Sequence, residues 1–110
     1  MGRYITTTGT AGTTIREVSS AFNASVNDRI LANSSGGAFT ITLPANGSLL
    51  LNDTIQIMDV GGSAGSNNIT ISRNGSKIQG LSENLVMDVN GSILTLTYTG
   101  SNYGWIVASA

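Results

Sequence analysis

A chain of 110 residues is one domain with a modest core. Its formal charge of -1, from five basic and six acidic residues scattered along it, offers no basic stripe to displace counterions from nucleic-acid phosphates. Neither His nor Cys is present, which removes Ser-His-Asp and Cys-His catalysis, disulfides and Cys-based zinc sites together.

Ser, Thr, Asn and Gly supply close to half of the residues, yet β-branched and apolar residues recur in short regular runs. Disordered chains lack such runs, so an ordered β-protein with an uncharged polar surface is expected. The opening MGRYITTTGTAG has no apolar signal-peptide core, and no apolar run approaches a membrane span, so no membrane partner is expected. Met1-Gly2 with Thr6 fits the loose myristoylation pattern, but Arg3 and Tyr4 begin what reads as a first strand over 3–8. The N-x-[ST] triplets at Asn23, Asn33, Asn46, Asn52, Asn68, Asn74 and Asn90 follow from composition, and without an export signal no glycans are expected on them.

Residues 9–14 read as loop, and 15–22 (IREVSSAF) as a strand or one short helical turn. Period-2 runs then follow at 28–33, 38–43, 54–60, 68–73, 84–89, 92–99 and 103–108. Asn90-Gly91 between two such runs predicts a tight type I′ hairpin over 84–99. Ser35-Gly36-Gly37 predicts a second hairpin pairing DRILAN with AFTITL, and Gly100-Ser101-Asn102 a third that lays the Trp105 strand beside SILTLTYT. Pro44 ends its strand, and 59–68 (DVGGSAGSNN) reads as a flexible loop or a crossover between sheets. Leu49-Leu50-Leu51 breaks the alternation and is either a helical plug or an apolar partner contact.

Alternation points Phe39, Ile41, Leu43, Ile55, Ile57, Ile69, Ile71, Leu85, Met87, Val89, Leu94, Leu96 and Tyr98 into one core. TITLPANGS (40–48) echoes TISRNGS (70–76), but two copies fall short of a solenoid, and the echo reads as recurrent turn chemistry. The fold class expected is all-β. It is a single antiparallel β-sandwich, jelly-roll-like, or a small barrel of about seven to nine strands. Residues 1–22 would be an N-terminal arm or first strand, with an inter-subunit role open to it, and 23–110 the β-sandwich domain.

Two carboxylate pairs, Asp53 with Asp59 and Glu83 with Asp88, are the remaining glycosidase-like candidates, though turn chemistry explains each residue. Asp59, Ser63, Ser66, Asn67 and Asn68 bear oxygens that calcium accepts, but only one is charged and EF-hand spacing is missing. Gly61-Gly62-Ser63-Ala64-Gly65 lacks the lysine of a phosphate loop, and Asp28-Arg29 reads as a solvated strand end. No cofactor, metal or catalytic residue is expected.

The order DRILANSSGGAFTITLPA, then NDTIQIMDVGGSAGSNNITISRNGSKIQGLSENLVMDVNGSILTLTYTG, then YGWIV, resembles a module of structural proteins in tailed bacteriophages. It is most similar to small virion proteins and tail-fibre-associated segments of marine, cyanophage-like viruses. The resemblance covers 28–107, about three quarters of the chain, and is densest over Ser35–Pro44 and Asn67–Ser76. It implies a β-rich, non-enzymatic virion module, often trimeric, and carries over no catalytic residue. The expected role is capsid decoration or cement on the particle exterior, with other virion proteins as partners. The alternative is a tail-fibre or appendage module for host attachment. Arg3, Tyr4, Ile5, Arg16, Leu49 and Leu50 are the candidate subunit or partner contacts, and Tyr103 and Trp105 candidate glycan contacts.

Overall fold

The computed structural model describes residues 13–109. Among these residues nine strands run in order: β1 (Thr14–Val18), β2 (Phe22–Asn23), β3 (Asp28–Ala32), β4 (Phe39–Thr42), β5 (Thr54–Asp59), β6 (Ile69–Ser72), β7 (Leu85–Met87), β8 (Ile93–Tyr98) and β9 (Trp105–Ser109). They form two sheets, one in the order β1-β3-β5-β8-β9 and the other β2-β4-β6-β7. The pairs β1-β3, β3-β5, β2-β4 and β4-β6 are parallel, whereas β5-β8, β6-β7 and β8-β9 are antiparallel.

This overturns the single antiparallel sandwich and the closed barrel. The chain alternates between the sheets: β1 then β2, β3 then β4, β5 then β6. Each successive pair stacks on the one before as a rung of a short two-sheet solenoid. A parallel neighbour needs a crossover, and here the crossover is a strand of the opposite sheet. After β6 the direction reverses, and β7, β8 and β9 close the stack with antiparallel pairs. The boundary expected at 22–23 falls inside β2, in the first rung. The strand expected over 3–8 lies outside the described residues.

The echo between 40–48 and 70–76 is structural. Thr40 stands beside Thr70, Ile41 beside Ile71 and Thr42 beside Ser72. Columns of like side chains therefore climb the interior: Ile30 on Ile57, Ile41 on Ile71, Phe39 on Ile69. Ile30, Ile41, Ile55, Ile57, Ile69, Ile71, Leu96 and Trp105 are fully buried between the sheets. Each such side chain contributes about 2 kcal/mol by leaving water, and no rung could bury its apolar face alone.

Two of the three expected hairpins are arches between sheets. At 88–92 only Gly91 has positive φ, 74°, whereas a type I′ turn needs it at both central residues. Asn90 is instead recruited by the previous arch, its Oδ1 accepting the Gly65 N–H at 2.7 Å. At 33–38, Asn33 Oδ1 accepts the Ser35 N–H at 3.0 Å and Ser34 O accepts the Asn67 Nδ2 at 2.8 Å. Side-chain ties from one arch to the next favour stacking over a local hairpin. The third hairpin forms as expected, with Tyr98 paired to Trp105. The segment 59–68 is a crossover between sheets.

Asparagine richness has a backbone reason. Asn27 and Asn52 take left-handed φ values of 69° and 74° just before β3 and β5, where the chain turns back into the same sheet. Asn tolerates that region better than any other residue but Gly. Leu49–Leu51 do not form the helical turn expected of them; a 3-10 turn occupies Asn46–Ser48, the three residues just before.

Candidate assembly and binding surfaces

The two ends of the solenoid differ, and the difference begins in backbone hydrogen bonding. In β1 the Thr14 N–H donates to Asn27 O at 3.1 Å, and Val18 O accepts the Asn33 N–H at 2.9 Å. Backbone groups of alternate residues point to the same side, so those of Ile15 and Glu17 point away from β3, toward the open edge. Ile15 is 66% exposed.

At the far edge of the same sheet, β9 is covered. Lys77 O accepts the Trp105 N–H at 2.8 Å, and the Gln79 N–H donates to Trp105 O at 2.8 Å. The Gln79 side chain completes the cover, its Oε1 accepting the Val107 N–H at 2.9 Å. The segment 77–79 thus takes up the outward groups of Trp105 and the Val107 N–H, capping the first half of β9, which is one way proteins blunt a sheet edge.

Arg16 faces the interior column beside Ile30, and its Nε meets the Asp28 carboxylate at 3.4 Å. Asp28 is buried, and its Oδ2 also accepts the Ser25 N–H at 2.8 Å. The Arg16 side chain keeps 47% of its surface in water, so it closes the open end with a charge-capped wall. On the outer face of the sheet, Leu31, Met58 and Ile93 form one half-buried apolar row in register with Glu17.

Asp59 ends β5 and organises the last arches. Its Oδ2 accepts N–H groups from Gly91 at 2.9 Å and Ala64 at 3.1 Å, and its Oδ1 that of Ser63 at 3.4 Å. Burial by itself would raise this carboxyl, but the N–H groups of Gly91, Ala64, Ser63 and Gly62 together hold it below its usual value. Asp53 ties down the turn before β5, accepting the Leu50 N–H at 2.8 Å. Asp53 and Asp59 stand at opposite ends of β5, about 20 Å apart by strand rise. Glycosidase pairs work at roughly 5–9.5 Å. Glu83 and Asp88 likewise lie beyond opposite ends of β7.

The other expected contacts separate. Arg3, Tyr4 and Ile5 lie outside the described residues. Leu49 packs against the core, while Leu50 is 73% exposed. Trp105 is fully buried, edge-on to Tyr98 with ring centroids 5.5 Å apart, and presents no ring to a sugar. Tyr103 is exposed. Ile15 and Glu17 were not singled out by the sequence, because strand pairing alone decides which edge is left open.

No protein-family model matches the chain, and no curated protein matches it either.

Proposed function

We propose that the chain is a non-enzymatic structural protein of a tailed-phage virion, a decoration or cement protein on the capsid exterior. In this reading it works as a homotrimer contacting other virion proteins, and its contacts run through the open β1 end. The observation that carries the assembly role is the asymmetry of the sheet: the first half of β9 is capped by 77–79, while among the described residues nothing pairs with the outward backbone groups of Ile15 and Glu17. The phage setting is supported by the resemblance over 28–107. A tail-fibre or appendage role is the second reading, favoured by the exposed Tyr103 beside the turn at Gly80.

Labelled antibody on intact particles tests the location. Signal over the shell supports decoration, signal confined to the tail supports the appendage role, and unlabelled particles defeat both.

A proline scan of β1 tests the contact. Glu17→Pro removes an N–H that faces the open edge, so the β1-β3 ladder stays intact. It should abolish self-association and particle binding while moving the melting temperature by only about 2 °C. Arg16→Pro, on the ladder side, should unfold the rung instead. Undiminished assembly of Glu17→Pro would move the contact elsewhere.

A further inference from the structure

At the opposite end of the rungs from the 59–68 arch, a small crevice of about 150 Å³ opens between three turns. Its walls include Arg73, Ser76, Lys77, Ser82, Tyr98 and Ser101. Two of the chain's five basic residues meet here, and no carboxylate is among the lining residues. Among the described residues the one ion pair is Arg16–Asp28, so neither cation is neutralised by a neighbour.

The walls are held in place by backbone. Asn84 Oδ1 accepts the Arg73 N–H at 3.0 Å, and Asn46 Nδ2 donates to Gly75 O at 3.3 Å. Lys77 O is fixed by Trp105 N–H at 2.8 Å. Arg73 itself spends one donor, Nη1, on Ser76 O at 3.0 Å, leaving the guanidinium braced over the turn with donors to spare. Ser76 is 5% exposed, and its hydroxyl has no hydrogen-bond partner. A buried hydroxyl without a partner is destabilising, and a ligand acceptor would satisfy it.

We propose that this crevice is a binding site for one phosphate-type oxyanion. Arg73 supplies a planar pair of N–H donors, Lys77 a mobile point charge, and the serine hydroxyls neutral donors around them. That set matches an oxygen-rich tetrahedral group better than a flat carboxylate, which one guanidinium already satisfies. The volume admits the anionic group and little more, so any larger ligand lies mostly outside. Two sources share this chemistry: free inorganic phosphate and the phosphoryl group of a sugar phosphate. The inference does not depend on the virion reading.

Amide chemical-shift titration of the full chain with inorganic phosphate, glucose 1-phosphate and glucose, at constant ionic strength, tests it. Saturable shifts confined to 73–77, 82 and 98–101 are expected with both phosphates and not with glucose. Lys77→Gln should weaken binding about tenfold, the equivalent of roughly 1.4 kcal/mol. Arg29→Gln, an exposed arginine on the outer sheet face, should leave it unchanged. Tighter binding of the sugar phosphate identifies a glycan source, and equal binding the free ion. No saturation by roughly 50 mM, or equal weakening by Arg29→Gln, would overturn the site and leave only diffuse charge attraction.

Discussion

Asp59→Ala should lower the unfolding free energy by roughly 3 kcal/mol, since it strands one buried and two part-buried backbone N–H groups, a buried one costing about 1–3 kcal/mol without an acceptor and a part-buried one less. The three donors belong to Ser63, Ala64 and Gly91, so one carboxylate ties the end of β5 to its own arch and to the β7-β8 arch. Denaturant midpoints at neutral pH measure the loss. Asp59→Asn keeps the shape and one acceptor oxygen, so it should cost less than half as much. A loss below about 1 kcal/mol for the alanine variant would mean that water replaces the carboxylate at little cost.

The same residue sets an acid dependence. Its carboxyl is held below the ordinary value in the folded chain, so the folded state resists its protonation more than the unfolded state does. Below the ordinary carboxylate pKa of about 3.9 the unfolded state binds the proton first, and stability falls as pH falls. The contribution is complete above that value and is lost on descending through the depressed one. Wild-type protein should therefore lose stability below about pH 4 more steeply than Asp59→Asn, which has no proton to bind. Parallel curves for the two proteins would remove Asp59 from the acid response.

Gly104→Ala should cost on the order of 3 kcal/mol and, unlike Asp59→Ala, should promote aggregation. Gly104 has φ of 71°, and a β-carbon there would strike the Lys77 carbonyl. That carbonyl accepts the Trp105 N–H, the first tie of the plug along β9. Relieving the clash pushes 77–79 away from the strand, exposes a second open edge and lets water reach Trp105. A red-shifted tryptophan emission with concentration-dependent light scattering is the expected pair of signals. An unshifted spectrum in a destabilised monomer would confine the damage to the turn.

Much of the local structure was legible in the residues. Alternation placed Phe39, Ile41 and Leu43 on the buried side, and likewise Ile55 with Ile57 and Ile69 with Ile71, because a strand has a period of two whichever partner it pairs with. The β8-β9 hairpin was legible because its turn and both strands are adjacent in sequence. The solenoid was hidden by uneven rungs. Thr14 stacks on Asp28 but Arg29 on Gln56, so no fixed repeat length exists to detect. Asn90-Gly91 misled for a related reason: its turn propensity is local, whereas the Gly65 and Asp59 partners that reshaped it are distant in sequence.

The crevice escaped because Arg73 and Lys77 read as two scattered charges, although a four-residue gap across an Asn-Gly-Ser turn hinted that they could converge. Composition and periodicity by themselves determined an all-β, cysteine-free chain with an isoleucine-rich core, uncharged polar surfaces and no histidine or cysteine chemistry. Only the tertiary structure decided which strands are parallel, which edge stays open and which charges meet. Those choices depend on the free energy of stacking whole rungs, and no short window of residues contains that energy.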